Sequence, residues 1–372
     1  MTEIYLIRHA QAEGNLYRMM QGHWDGDVTE LGRRQIEALS LRMKEQPVDA
    51  LYSSDLYRTR LTAAAITRYH DIPMRLSEKL REINMGPWET RFFADLMHEN
   101  PASMERFLFS PDTWHIEGAE TYADVTARAY PFFESIAREH EGQRVAVVSH
   151  GVTIRCLLAK ALGLDLRDTQ SLPICRNTAI SKLVWDGGKF TAEYINDYAH
   201  IIPLGSSPWN STEDLRGEAI DPAEHCDWYE SCYADAWRAA HGSLKGFAPE
   251  LYTAAAIDHH RRYEGAVLRI LSGDEPVGLV DMDTAKGEGA GYGWISLIYL
   301  TPEYRHKGYG VQLLARAMTT YMTLGRSALR LTVARENAAA LSFYKSHGFE
   351  TLSAQPGGLL LMEKKLGRRE QP

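Results

Sequence analysis

Two histidines leave the ends of short apolar runs in the first half of this chain: His9 follows Ile4-Tyr5-Leu6-Ile7 and Arg8, and His150 follows Val145-Ala146-Val147-Val148-Ser149. Runs of this kind are the signature of covered parallel strands, and open α/β sheets bind ligands off the carboxyl ends of such strands. A neutral imidazole nitrogen attacks phosphorus at pH 7 without prior deprotonation and forms a phosphohistidine, which splits one difficult step into two. Arg8 and Arg58 are planar forks that clamp equatorial phosphate oxygens. Asn15 adds a neutral donor, His150 a further donor that is positive if protonated, and Glu82 a carboxyl able to protonate a leaving oxygen and then accept a proton from water. Cations around His9 disfavour imidazolium, so its nucleophilic form is expected to dominate near neutrality.

Strands alternating with helices are needed to hold these residues. Thr29 is placed to cap a helix carrying Leu31, Ile36, Leu39 and Met43 at helical spacing. Asp49 to Ser54 reads as a strand and Leu56 to Tyr69 as a helix with Arg58 in its first turn, where a guanidinium and outward amides could meet one anion. Ala119 to Glu139 and Gly151 to Leu162 read as helices, and Ser181 to Ile195 as a hairpin around Asp186-Gly187-Gly188-Lys189. Between Gly86 and Gly118 periodicity fades among large aromatics, expected mostly in core or lid packing. The alternation predicts a doubly wound, mostly parallel sheet with helices on both faces.

The order Arg8-His9, Asn15, Gln21-Gly22, Leu51 to Arg58, Arg81-Glu82, Gly86-Pro87-Trp88-Glu89 and Ser149-His150-Gly151 resembles the histidine phosphatase (phosphoglycerate-mutase-like) superfamily over roughly the first two hundred residues. That resemblance implies His9 as nucleophile, Glu82 as proton donor, and Arg8, Asn15, Gln21, Gly22, Arg58, His150 and Gly151 around the phosphate. Three positions depart from the family pattern. Ala10 and Ala12 stand where glycine and threonine are usual, and Thr90 replaces the glycine after the Trp-Glu pair. A change in substrate preference is expected from them, since the charged groups are intact.

In the second half, Ala223 to Arg238 reads as a helix and Val267 to Asp281 as a hairpin turning at Gly273 to Pro276. The strand Ile295 to Leu300 leads through Arg305-His306-Lys307-Gly308-Tyr309-Gly310 into a helix from Val311 to Leu324. Strand, glycine-containing loop and helix make a cradle for pyrophosphate, because successive amides and the helix dipole favour an anion. With the strand Leu329 to Val333, Asn337, Ala340, Phe343-Tyr344 and Gly348-Phe349, the ensemble resembles the GNAT superfamily of acetyl-CoA-dependent N-acetyltransferases over about residues 214 to 366, an α+β fold with a mixed sheet. The resemblance implies that residues 305 to 310 hold the pyrophosphate, that backbone around Ile298, Tyr299 and Leu300 pairs with the pantetheine arm, that Asn337 supports the cofactor, and that Tyr344 protonates the departing thiolate. For the base that activates the amine, Asp281, Asp283, Glu264 and a water chain all stay open.

At 372 residues, 44% hydrophobic and 24% charged, the chain exceeds one ordinary domain of ~150 residues and is composed like a globular protein. The expected layout is a phosphatase domain at 1–203, a proline- and serine-rich linker at 204–213, an acetyltransferase domain at 214–366 and a polar tail at 367–372. A net charge of −8 argues against nucleic-acid or membrane partners. The four cysteines, Cys156, Cys175, Cys226 and Cys232, show no metal spacing, and neither site calls for a metal. No basic-then-apolar leader opens the sequence and no apolar run nears the ~18 residues of a membrane span, so a cytoplasmic protein is expected. Its partners are then a small phosphate ester, a small amine and acetyl-CoA. The alternatives are a mutase that returns the phosphoryl group to another hydroxyl, and an acyl-CoA-sensing second domain.

Overall fold

The structure is a computed structural model that describes residues 1–205 and 213–367. Most of the expected linker and all but the first residue of the expected tail lie outside the described residues. The chain divides into two compact units, Met1–Asn210 and Ser211–Pro372.

The first unit runs β1 (Thr2–Arg8), α1 (Glu13–Tyr17), α2 (Glu30–Met43), β2 (Ala50–Ser53), α3 (Tyr57–Thr67), β3 (Met74–Leu76), α4 (Phe93–Glu99), α5 (Pro101–Phe109), α6 (Tyr122–Glu139), β4 (Arg144–Ser149), α7 (Gly151–Ala161), β5 (Ile180–Trp185) and β6 (Phe190–Asp197). Its six strands lie in the order β3-β2-β4-β1-β5-β6. The first four are parallel, and β5 and β6 add an antiparallel edge. Alternation along β1 explains the layering. Ile4 and Leu6 enter a cluster with Ala129, Phe133 and Ile136 of α6 and Ile154 and Leu157 of α7. Tyr5 and Ile7 point the other way, to Leu39 and Met43 of α2 and Ala63 and Ile66 of α3. Each of the buried Ile, Leu, Met and Phe side chains contributes about 1.5–3 kcal/mol, which is why both faces of the central strands stay apolar. Thr29 caps α2 through the amide of Gly32 at 3.0 Å, and Thr121 caps α6 through Asp124 at 3.1 Å.

The aromatic stretch forms its own small core. Trp88, Phe107 and Trp114 meet edge to face or tilted at 5.0–6.3 Å, and Leu96 and Met104 of α4 and α5 close the cluster.

The second unit runs β7 (Arg216–Ala219), α8 (Cys226–His241), α9 (Pro249–Arg262), β8 (Val267–Ser272), β9 (Glu275–Asp283), β10 (Tyr292–Leu300), α10 (Gly310–Thr323), β11 (Ala328–Ala334), α11 (Ala338–Ser346), β12 (Glu350–Gln355) and β13 (Leu359–Lys365). Its sheet has the order β12-β13-β11-β10-β9-β8-β7. Only β10 and β11 are parallel, and they pair just over Tyr292, Gly293 and Trp294. Beyond that point β11 continues against β13 and β10 against β9, so the two strands part. A bulge between Ile295 and Leu297 sits at the same place. Leu279, Leu297 and Tyr299 face Tyr229 of α8 and Ala256 of α9. Gly278 and Gly293 face α10, where an added Cβ would lie 3.2 Å from Leu313 and 2.2 Å from the Tyr321 ring. The bulge therefore changes which alternate residues of β10 face which helix layer.

Candidate active sites

His9 leaves the end of β1 and is held by its own backbone amide, which donates to Ser149 O at 3.0 Å. Its Nδ1 lies 2.7 Å from Ala10 O. A carbonyl can only accept, so Nδ1 carries the proton and Nε2 keeps its lone pair. Burial first, then Arg58 and Arg8, hold the imidazole well below the usual histidine range. The sequence argument had named the cations; desolvation is the larger cause. His150 lies with its ring 5.2 Å from that of His9. It too is pushed well below the usual range, by burial and then by Arg58 and His9, so it enters the site as a neutral donor instead of a cation.

Arg58 is fully buried in the first turn of α3. Its Nη1 donates to Trp24 O at 3.0 Å and its Nη2 to Gly22 O at 2.8 Å. Burial lowers it to about 10, against the opposing pull of Asp25, so it is still charged at neutral pH. Arg8 donates from Nη1 to Cys175 O. What remains is informative: Arg8 Nε, Arg58 Nε, both ring nitrogens of His150 and the Gln21 amide are buried without a hydrogen-bond partner among the described residues. Native interiors satisfy nearly all such groups, so the orphans of Arg8, Arg58 and His150 near His9 leave polar capacity suited to a bound ligand.

Glu82 sits beside them. An added Cβ at Gly151 would lie 3.5 Å from Arg8 Nε and 3.6 Å from Glu82 Oε2. The Glu82 carboxylate accepts from the amides of Val152 and Thr153 at the start of α7, both at 3.1 Å, and from Ile83 at 3.1 Å. The first-turn amides of α7 are thus spent on Glu82. At α3 the amide of Tyr57 is likewise taken, by the Asp25 carboxylate at 2.8 and 2.9 Å. The expected meeting of Arg58 and the α3 amino terminus on one anion occurs, but the anion is the chain's own Asp25 carboxylate, 3.6 Å from Arg58 Nη1. Asn15 lies in α1, and its Oδ1 accepts from Ala12 N at 3.1 Å and Asn177 Nδ2 at 3.2 Å. Gly22 serves Arg58 with its carbonyl and donates its amide to Glu89 at 3.2 Å.

Several holding groups escaped the sequence argument. Glu89 accepts from the amides of Gly22, His23, Trp24 and Met85, at 2.7–3.2 Å, and so sets the loop whose carbonyls hold Arg58. The Trp-Glu pair was a signal that pointed to it. Arg128 donates to the carbonyls of Lys79, Arg81 and Glu82, each at 2.9 Å, and fixes the loop that presents Glu82. Thr90 keeps the left-handed backbone of the glycine it replaces, at φ 64°. Arg8 and Asn15 line one side of a pocket of about 920 Å³, with Asn177, Arg176 and Tyr198 among its polar walls and Ile174 and Ile202 at its exposed apolar rim.

In the second unit the Arg305–Gly310 loop turns through two left-handed residues, His306 at φ 58° and Gly308 at φ 88°, into α10. An added Cβ at Gly310 would press on the Phe343 ring at 3.1 Å. Lys307 and Tyr309 complete the turn. The Arg305 side chain is committed to Asp235 and to Leu300 O at 2.8 Å, so the loop backbone and not this guanidinium is left for the expected pyrophosphate contact. Ile298, Tyr299 and Leu300 lie on the stretch of β10 that has parted from β11. Asn337 caps α11 through the amide of Ala340 at 3.0 Å. Tyr344 is half-buried on α11, its ring 5.2 Å from that of Phe349, and burial pushes its phenol up.

Residues 4–198 match the model of the histidine phosphatase superfamily (branch 1), and the chain belongs to that superfamily. Residues 223–349 match the acetyltransferase (GNAT) family, so the second unit is a GNAT domain. Among relatives, phosphoserine phosphatase 1 of Hydrogenobacter thermophilus is 32% identical over 201 residues, 54% of this chain and 95% of that protein. The probable phosphoglycerate mutase GpmB of Escherichia fergusonii is 30% identical over 206 residues, 54% of this chain and 95% of that one. The solved structure of Bacillus stearothermophilus YhfR superposes with a TM-score of 0.52 at 32% identity, covering 54% of this chain and 100% of that one. Among the described residues no helix is long and apolar enough to cross a membrane.

Proposed function

We propose that the first unit hydrolyses a small phosphate monoester through a phosphohistidine at His9 Nε2. The observation that carries this reading is the set of unpartnered buried donors of Arg8, Arg58 and His150 around a histidine whose Nδ1 is already bonded. Nε2 attacks phosphorus while the ester P–O bond breaks, and Glu82 gives its proton to the leaving oxygen. Water then attacks the phosphohistidine, Glu82 takes its proton back, and inorganic phosphate leaves with His9 restored. Arg8 and Arg58 hold the equatorial oxygens through both steps. The pocket beside Arg8 and Asn15, with its exposed rim, admits water and the rest of the ester, which supports hydrolysis over return of the phosphoryl group to a second hydroxyl.

The second unit, on this reading, transfers an acetyl group from acetyl-CoA to an amine. The parted β10 and β11, the left-handed turn at His306 and Gly308, and the close approach at Gly310 suit the arm and pyrophosphate of that co-substrate. Bound there, acetyl-CoA would supply an activated thioester carbonyl. Tyr344, kept protonated by burial, is suited to return a proton to sulfur.

Release of inorganic phosphate from a panel of esters tests the first half, beginning with phosphoserine, which a relative's name supplies. Native protein should release phosphate and His9→Ala should not. Native protein that labels on His9 but passes the label to a second hydroxyl in place of water would make it a mutase. Calorimetric titration with acetyl-CoA tests the second half, and absence of binding would end that reading.

A further inference from the structure

α9, which has no hydrophobic period in the sequence, carries a buried histidine bonded to a buried carboxylate of β9. His259 is 8% exposed, and its Nδ1 lies 2.7 Å from Asp281 Oδ1. Asp281 is itself 1% exposed, and its other oxygen accepts from the Tyr229 hydroxyl at 2.7 Å. A carboxylate buried between two donors fixes the ring: Nδ1 carries the proton, and in the neutral imidazole Nε2 holds a lone pair. That nitrogen faces Asp283 Oδ2 at 3.6 Å, too far for a hydrogen bond. The remaining oxygen of Asp283 is occupied by the amides of Ala285 and Lys286, at 3.1 and 3.0 Å. Two acceptors therefore face each other across a gap, and one opens toward solvent, since the Asp283 side chain is 26% exposed.

We propose that His259 Nε2 and Asp283 Oδ2 together seat a protonated primary amine, and that His259 removes its proton. This rests on the acetyl-transfer reading for the fate of the amine, while the seat itself is a property of these residues. An ammonium group has three N–H donors and can give one to each acceptor, which a methylated quaternary cation cannot do. The position also suits the reaction. Asp281 pairs with Leu297 and Asp283 with Trp294, on either side of the β10 bulge where β10 leaves β11. The strand that carries both carboxylates is thus the immediate neighbour of β10, whose parting from β11 leaves the wedge proposed for the thioester arm.

The proton step balances within the site. The N–H bond of the ammonium breaks, its electron pair stays on the amine nitrogen, and the proton moves to Nε2. The resulting imidazolium lies between the carboxylates of Asp281 and Asp283. The groups facing His259 are Asp281 and Asp283 from β9, Asp258 from its own helix and Tyr229 from α8. Burial opposes the charged ring, but the bond to Asp281 and the fields of Asp281, Asp283 and Asp258 outweigh it and raise the imidazole above the ordinary histidine value.

The test is proton NMR of the His259 ring in the full chain, assigned by loss of its signals in His259→Gln, during titration with ethylammonium chloride and, separately, tetramethylammonium chloride. Ethylammonium should shift the His259 signals and lower the pH at which they titrate. Asp283→Asn, at a partly exposed position where folding is retained, should weaken that response at least tenfold, and tetramethylammonium should give none. Equal responses to the two cations, or no response to ethylammonium, would overturn the seat. Acetyl-CoA binding measured on the same sample reports separately on the acetyl-transfer reading, so loss of one is not mistaken for loss of the other. For an amine that turns over, His259→Gln should lower kcat by 10²–10⁴-fold while acetyl-CoA binding is unchanged.

Discussion

His9 and Glu82 divide the phosphoryl chemistry between a nucleophile that must be neutral and a carboxyl that must be protonated for the first step and charged for the second. Burial and two arginines hold His9 well below the usual histidine range, so its neutral form persists under mild acid. The rise of phosphatase kcat/KM with pH that an ordinary histidine gives through pH 6.5 should therefore be absent, and a profile measured from pH 5 to 8 checks it. A single inflection near 6.5 would show that His9 is solvated and not the nucleophile described. Replacing Arg58 by lysine should lower kcat by a hundredfold or more. Lysine is a point charge and cannot hold the carbonyls of Trp24 and Gly22 while also presenting a second edge to phosphate. These residues were legible because each leaves the end of an apolar run or begins a helix in a recognisable order. Asp25 and Arg128 were not, because a carboxylate capping a helix and an arginine binding three carbonyls have no local pattern; they are read only once distant loops meet.

At the scale of elements, the short connections do the positioning. Glu89 binds four amides with one carboxylate, so Glu89→Gln leaves part of that set without a charged acceptor and should cost about 1.5–3 kcal/mol. Because the same loop holds Arg58, kcat should fall together with stability, and denaturation curves run beside kinetics would show whether the two losses coincide. Thr90 tests the opposite direction. A β-branched residue at φ 64° bears roughly 1–2 kcal/mol of strain, while glycine loses about 0.5–1 kcal/mol more entropy on folding. The strain is the larger figure, so Thr90→Gly should gain up to about 1 kcal/mol, a rise in Tm of a few degrees, with kcat unchanged. The helices of the first unit were readable from Leu39, Met43 and their like, which carry the buried stripes. α9 was not, because the side chains it buries at successive turns are Thr253, Ala256 and His259. A stripe of threonine, alanine and histidine carries no hydrophobic period, although it holds the residue on which the second site depends. β7, with the sequence Arg-Gly-Glu-Ala, is equally silent and becomes a strand only by pairing with β8.

For the whole molecule, His9 and His150 of the first unit and His259 of the second are buried histidines of opposite kind, and their contributions to stability should respond oppositely to pH. In the first unit His9 and His150 are held neutral, well below the ordinary value. Below about pH 6.5 the unfolded chain binds protons that the folded unit refuses, so stability falls as pH drops. Two such groups give a slope of roughly 3 kcal/mol per pH unit. In the second unit His259 is raised by its carboxylate partners. Its folded form binds a proton more tightly than the unfolded chain, so that stabilisation is fully present below pH 6.5 and is lost as pH rises through the raised value. Scanning calorimetry of the full chain at pH 5.5, 7 and 8 should therefore show one transition moving to lower temperature on acidification and another moving to lower temperature on the alkaline side. Inorganic phosphate should raise only the first transition and acetyl-CoA only the second, because a ligand stabilises the unit whose folded state binds it. His259→Gln should remove the alkaline decline in the second transition and leave the acid decline of the first unchanged. If the second transition shows no alkaline decline, or His259→Gln leaves that decline unchanged, Asp281 and Asp283 do not raise His259, and the proton transfer to its Nε2 loses the electrostatics it requires.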